Sequence, residues 1–242
     1  MKAAAKVIFL CRDSDGFGPA IYDALQPNPN SSLQRTESSF DLSLERYGIT
    51  DAKASGEIVN FIDSQGLSQV SIVLLQNYEP PVAAYAVNGV LASIIGENSS
   101  DLPTIVLPLI VAAQKLRREM TNLTQADRKI TVYGAQIGPK TDFTEAVVSG
   151  IQEAPPSLQV ACETLACLLE LVCVLGLPTA VLVGSSGQRQ AEGTTDQELE
   201  ALYELGEFLA GKLGLCFSRD RIHWNLKEKS KGTQEPWRAL YG

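Results

Sequence analysis

Residues 157–187 read SLQVACETLACLLELVCVLGLPTAVLVGSSG, the most apolar continuous stretch of the sequence. The pattern predicts a long helix over 157–175, a tight Gly176-Leu177-Pro178 connection, a buried strand over 179–184 and a Gly/Ser loop. On a helical projection the polar Gln159, Glu163 and Glu170 fall within about 40° of one another. Nearly every other position is Leu, Val, Cys or Ala, so the helix should be covered on most sides. TAVLVG is β-branched and does not alternate, as expected of a strand buried on both faces. A helix feeding such a strand is the centre of a layered α/β domain.

Working outward, strand and helix patterns alternate along the chain. KVIFLC (Lys6–Cys11) reads as a first strand. It runs into Arg12-Asp13-Ser14-Asp15-Gly16-Phe17-Gly18, after which Pro19 opens a short helix to about Leu25. PNPNSS (27–32) is a loop, and the polar region to Asp51 shows at most a short strand near FDLSL (40–44). Ile58, Phe61 and Ile62 suggest a helix over 54–65 stopped by Gly66. VSIVLL (70–75) is a buried strand, Pro80-Pro81 a break, and 82–95 a helix. Thr104 to Leu107 is extended, and Pro108 is read as opening an amphipathic helix to about Leu123. KITVYGA (129–135) is a strand, and 142–152 a helix capped by Thr141 or Asp142. Residues 195–213 form the clearest amphipathic helix, with Leu199, Leu202, Tyr203, Gly206, Leu209 and Leu213 on one face. Thr195 and Glu198 fit a capping box and Gly214 a stop. Leu215 to Phe217 adds a last strand. There is no internal repeat and no linker between domains. The expected architecture is one three-layer α/β domain over 1–217, a mostly parallel sheet with helices on both faces, followed by a polar tail over 218–242.

Composition bounds the function. At 242 residues and 45% hydrophobic, the chain can bury a large core. No run of about 18 apolar residues is free of charge, so no membrane span is expected. The apolar N-terminus has no small-residue cleavage site and reads as the strand of an intracellular protein. Cys11, Cys162, Cys167, Cys173 and Cys216 are odd in number and form no CxxC, which argues for a reducing compartment and against a disulfide framework or zinc site. Those on the apolar helix read as small hydrophobes. A net charge of −8 argues against nucleic-acid binding. Residues 218–242 carry six bases against three acids, a net of +3, on a body of −11. That split points the tail at a different surface from the one the body presents.

Two loops invite an enzymatic reading. Asp13-Ser14-Asp15 after an apolar strand has the spacing of the nucleophile loop of haloacid-dehalogenase-like phosphatases, in which two Asp help hold Mg²⁺. Phe17-Gly18 depart from that pattern, and the later strand ends, Tyr133-Gly134-Ala135-Gln136 and Gly184-Ser185-Ser186, lack the acidic pair that completes the metal site. A turn and helix cap is the competing reading. Gly184-Ser185-Ser186-Gly187 is neither G-x-S-x-G nor a P-loop. The single histidine, His223, lies in the polar tail. No cofactor motif, metal site or catalytic set is assigned.

The sequence ends RDRIHWNLKEKSKGTQEPWRALYG. Leu240-Tyr241-Gly242 resembles the hydrophobic–tyrosine–any motif with which proteasome activators and assembly chaperones dock between α-subunits of the core particle. The terminal carboxylate can pair with a pocket lysine while the Tyr ring fills an apolar wall. With the helix, Gly-Leu-Pro turn, strand and long helix between Leu158 and Leu213, the chain resembles the proteasome assembly chaperone 1 family. That resemblance implies a phosphorylase-like α/β fold without catalytic activity or cofactor. It implies binding to proteasome α-subunits through Leu240, Tyr241 and Gly242, and a heterodimer with a proteasome assembly chaperone 2-like protein. The expected location is the cytoplasm and the nucleus, with no nucleic-acid or membrane partner. The alternative is a small-molecule hydrolase or phosphatase using the loop from Asp13 to Gly18.

Overall fold

The structure is a computed structural model that describes residues 1–96, 102–112, 132–155, 160, 162–186 and 194–222. Its centre is an eight-stranded mixed sheet. In chain order the elements are β1 (Lys6–Cys11), α1 (Phe17–Ala24), β2 (Leu25–Pro27), β3 (Gln34–Ser43), β4 (Lys53–Ile62), β5 (Ser68–Leu75), α2 (Val82–Ile95), β6 (Thr104–Ala112), β7 (Val132–Ile137), α3 (Asp142–Val148), β8 (Gln152–Glu153), α4 (Glu163–Val174), β9 (Thr179–Ser186), α5 (Thr194–Leu213) and β10 (Leu215–Phe217). The strand order is β3-β4-β5-β1-β6-β9-β7-β8, with β10 and β2 forming a separate antiparallel pair.

The parallel core is β5-β1-β6-β9. Its strands are apolar without alternation because both faces are covered. In β1, Val7, Phe9 and Cys11 join one core, while Ile8 and Leu10 join the other. In β9 the same division puts Val181 and Val183 on the first face and Ala180 and Leu182 on the second. Helices α2 and α4 cover the first face through Val87, Val90, Leu91, Leu168 and Val172. Helices α1, α3 and α5 cover the second through Ile21, Val147, Leu202, Leu205 and Leu209. This is the three-layer α/β arrangement expected, and the strands anticipated over 6–11, 70–75 and 179–184 lie in it; of the one anticipated over 129–135, residues 129–131 lie outside the described residues and the rest falls in β7.

Several local expectations are corrected. Residues 54–65, expected as a helix, form β4 and the turn after it. The apolar residues that suggest a helix serve both faces of a strand: Ile58 meets the first core, Val59 and Phe61 the second. Antiparallel pairing to β3 along its whole length and to β5 fixes that choice. Strand β3 is ten residues long rather than a short piece near Phe40, and its mostly exposed, polar side chains explain the weak signal. Pro108 does not open a helix but lies inside β6, paired with Leu182. The amide of Thr104 points to Ala5 of the β1 side, at 2.7 Å, so residue 108, of the same parity, also faces β1. The β1–β6 ladder ends at Ile8↔Val106, so the missing proline N–H falls two residues beyond its last pair. The expected helix beyond Ala112 lies outside the described residues. Helix α3 ends at Val148 rather than near 152, and the Gly184–Ser186 segment continues β9 instead of forming a loop.

Helix α4 departs from expectation in its surroundings. The helix expected from residue 157 begins at Glu163, with Cys162 extended as its N-cap, and residues 156–159 and 161 lie outside the described residues. Over Glu163–Val174 only Thr164, Leu168 and Val172 are buried, and Val174 and Leu175 are exposed at 79% and 39%. The helix packs on the sheet and against α2; its exposed positions are Glu163 and Glu170, with Cys173, Val174 and Leu175 exposed only at its C-terminal end. Leu168, 0% exposed, is the core position expected from the sequence that holds. Leu168→Ala should cost about 2–5 kcal/mol through transfer and cavity terms. Urea unfolding measures it, and a change below about 1 kcal/mol would contradict the enclosure seen here.

Candidate functional site

Strands β5 and β6 flank β1; α1, which follows β1, lies on one face of the sheet and α2, which follows β5, on the other, so the chain departs to opposite sides from these neighbouring strands. In open α/β sheets the crevice at the carboxyl ends of such strands is the usual place for function. Four segments meet there: the loop after β1, the segment after β5, the start of α4, and β4.

The loop after β1 is built as a helix cap. Asp13 accepts from the amide of Phe17 at 3.0 Å through Oδ1 and from that of Gly18 at 2.7 Å through Oδ2. Gly16 supplies the left-handed turn, φ 80°, that brings these amides round. Gly18 lets the first turn of α1 lie against the end of β1, because an added Cβ would overlap the Cys11 carbonyl oxygen. Both carboxylate oxygens of Asp13 are thus committed to amides, and the glycine spacing that departs from the phosphatase pattern is what the cap requires. Asp15 is exposed. Among the described residues no group of three or more His, Cys, Asp and Glu is placed to hold a metal. Asp13→Ala should lower stability by about 1–2 kcal/mol, the worth of a strong N-terminal cap, read as a fall in the thermal midpoint. Mg²⁺-dependent phosphatase activity in the wild type that vanishes in Asp13→Asn would restore the catalytic reading.

Arg12 leaves the loop sideways. Its backbone amide bonds to the Leu75 carbonyl at 2.8 Å, and its guanidinium meets Glu57 Oε2 at 2.8 Å. Both side chains are more than one-third exposed, so the pair is a weak tether between β1 and β4.

The segment after β5 is held more firmly. The Thr164 hydroxyl, buried in the first turn of α4, donates to Asn77 Oδ1 at 2.9 Å and accepts from the Tyr78 amide at 3.2 Å. Tyr78 in turn donates its hydroxyl proton to the Lys53 carbonyl at 2.8 Å and accepts from the Ser55 amide at 2.7 Å. Residues 77–78 therefore lock the start of α4 to β4.

Between these groups lie two thiols, Cys11 at the end of β1 and Cys162 at the N-cap of α4. The Cys162 thiol donates to Asn77 Oδ1 at 3.8 Å. A side-chain interaction with Cys162, then burial, pushes the Cys11 thiol well up, and the same interaction is the largest cause lowering Cys162 to about 6. The amides of Leu165 and Thr164 lower Cys162 further, against its partial burial. They face the sulfur without closing a capping hydrogen bond. Sequence reasoning treats Cys162 as a small hydrophobe and gives Cys11 no role beyond ending the first strand. The available signal is position: one cysteine ends a strand at the sheet's carboxyl edge, and the other stands where a helix begins.

The remaining residues singled out in the sequence fall elsewhere. Ser185 lies in β9, paired with Val111, and is not presented on a turn as a nucleophile. His223, Leu240, Tyr241 and Gly242 lie outside the described residues, as does the side chain of Thr195. The root of the tail is described. The Ser218 amide bonds to the Ala24 carbonyl at 2.8 Å, and Arg219–Arg221 form a 3-10 turn in which Arg219 pairs with Glu207 at 2.5 Å. No helix among the described residues is long and apolar enough to cross a membrane.

Solved structures share this fold at low identity. A protein of unknown function from Mycobacterium tuberculosis matches with a TM-score of 0.52 and 14% identity, over 89% of this chain and 72% of that one. One from Corynebacterium glutamicum matches with a TM-score of 0.51 and 8% identity, over 92% and 79%. PbaB of Pyrococcus furiosus, an archaeal proteasome activator, matches with a TM-score of 0.51 and 12% identity, over 99% of this chain and 95% of that one. At such identities the likeness is one of fold. No curated protein matches the sequence. The family model for DUF7894, a domain of unknown function, matches residues 1–242, and the chain belongs to that family.

Proposed function

We propose that this chain is a non-enzymatic proteasome assembly chaperone that binds the α-subunit ring of the core particle. The observation that carries the reading is the near end-to-end correspondence in fold with PbaB, an archaeal proteasome activator. An α/β domain over 1–217 supplies the fold. The tail over 218–242, rooted on α1 and α5 by Ser218 and Arg219, carries Leu240, Tyr241 and Gly242 to the α-subunits. Its net charge of +3 against −11 for the body suits the tail to an acidic counterpart surface. The commitment of both Asp13 oxygens to amides weighs against the hydrolase alternative. The exposed Val174 and Leu175 at the end of α4 support a second protein partner, which the family resemblance gives as a proteasome assembly chaperone 2-like protein.

Tagged full-length chain drawn from a reducing lysate tests the reading. Proteasome α-subunits, with the heterodimer partner, are expected in the bound fraction, and no turnover is expected with phosphate esters or acyl esters. Absence of α-subunits together with measurable turnover would overturn it.

A further inference from the structure

Strand β3 is the outermost strand of the large sheet, and among the described residues nothing pairs with its far edge. It runs against β4 over its whole length without a register shift. An open edge of this length is a template for another strand unless a proline, a bulge, an outward lysine or a covering segment blunts it. QRTESSFDLS holds no Pro, Gly or Lys, and its ladder has no bulge. Its side chains are exposed apart from Arg35, Phe40 and Leu42, which are half-buried. Arg35, Glu37 and Asp41 alternate onto one face of the sheet, and they are of both signs.

We propose that β3 is the interface of a homodimer, in which a second copy of this chain pairs its own β3 antiparallel about a two-fold axis at Ser38 and the two sheets become one. A two-fold axis perpendicular to the sheet opposes residues of the same parity, because facing side chains must point to the same side. The two longest registers of that kind span 34–42 and 35–43. The second, centred on Ser39, sets Glu37 against Asp41 at both ends. The first, centred on Ser38, sets Arg35 against Asp41 at both ends, Glu37 against Ser39, and the half-buried Phe40 and Leu42 against Thr36 and Gln34. Opposite charges facing across strands stabilise a pair and like charges destabilise it, so the charges exclude one register and favour the other. Arg35 is held ready by Glu37 and by the Tyr22 carbonyl, to which it donates at 3.2 Å. Its Nε is buried without a hydrogen-bond partner among the described residues. Asp41 is exposed and takes part in no ion pair among them. The main-chain groups of the edge supply the affinity of such a contact and the side chains its register. The inference is independent of any binding to the proteasome.

The test begins on the purified full-length chain, with no proteasome present. Sedimentation equilibrium up to about 100 µM should give the mass of two chains. Asp41→Arg places a base opposite Arg35 at both ends, and should raise the dimer dissociation constant about tenfold or more with the circular dichroism spectrum unchanged. Residue 38 faces its own copy in this register. Ser38→Cys, in a chain whose exposed Cys173 is replaced by Cys173→Ser, should therefore be joined to its copy by a short bismaleimide. Gln34→Cys in the same background should not, because its copies lie about 27 Å apart. Overturning results are a monomer at every concentration, a dimer indifferent to Asp41→Arg, or joining at residue 34 as readily as at 38. Dimerisation only of a chain shortened to residues 1–222 would also overturn the proposal, since residues 223–242 would then be the strand's occupant. The mass and cross-linking arms do not use Asp41→Arg, so they decide the proposal even if that variant misfolds.

Discussion

Gly18→Ala should destabilise the domain by about 3 kcal/mol or more. Inserting one methylene into a close-packed site usually costs about 1–3 kcal/mol because neighbouring side chains adjust. Here the obstacle is backbone. A Cβ at residue 18 would overlap the Cys11 carbonyl oxygen, lie 3.0 Å from the Cys11 carbonyl carbon, and lie 3.2 Å from Asp13 Oδ2. Relief requires the first turn of α1 to lift off the end of β1. That movement strains the 2.7 Å bond from the Gly18 amide to Asp13 and loosens Ile21, which is 2% exposed against the sheet. For a domain of this size each kcal/mol moves the thermal midpoint by about 2–4 °C, so a fall of roughly 6–12 °C is expected. Calorimetry on wild type and variant measures it. A shift under about 2 °C would mean that α1 does not approach β1 as closely as described.

Deleting Leu240-Tyr241-Gly242 should abolish most recovery of α-subunits while leaving the thermal midpoint of the domain unchanged. Ordering a free tail costs conformational entropy, so three residues bind weakly alone. Attachment to a domain with a second contact raises their effective concentration, and the two contacts together retain the ring. Loss of one collapses the sum. Tyr241→Ala should behave nearly like the deletion, because it empties the apolar part of the pocket. One residue added after Gly242 should also weaken recovery, because it displaces the carboxylate from its lysine. Co-purification of α-subunits with wild type, deletion and extension measures the effect. Equal recovery by all three would remove the tail from the proposed function.

What the sequence discloses depends on whether a segment answers to one environment or two. Strand β1 is identical in extent to its sequence reading, and β9 begins where expected, because strands buried on both faces are written as unbroken apolar runs. Helix α2 likewise runs over the residues anticipated, set off by Pro80-Pro81. Strand β4 reads as a helix because Ile58, Phe61 and Ile62 satisfy both periodicities, and only its pairing with β3 and β5 separates them. Pro108 reads as a helix opener because proline is usually excluded from sheet interiors. The exception is that Pro108 lies two residues beyond the last pair of the β1–β6 ladder, a placement its local sequence does not show. At the site, a turn and helix cap at Asp13 is legible in the local sequence. The side-chain interaction of Cys11 with Cys162, 151 positions apart, is not, since no local pattern encodes it.

The register of β1 has a consequence for how the chain is made. Val7 pairs with Ser71, 64 positions later, and Lys6 with Thr104, 98 positions later. At about 5–20 residues per second of synthesis, β1 leaves the ribosome several seconds to roughly 20 s before its second partner exists. Meanwhile β3, β4 and β5 are neighbours in sequence, joined through residues 44–52 and 63–67, and can pair as soon as they emerge. The antiparallel ribbon is therefore the first product of translation, and β5 at its rim is the template on which KVIFLC is finally seated. Until then the earliest-made strand of the nascent chain is also among its most adhesive.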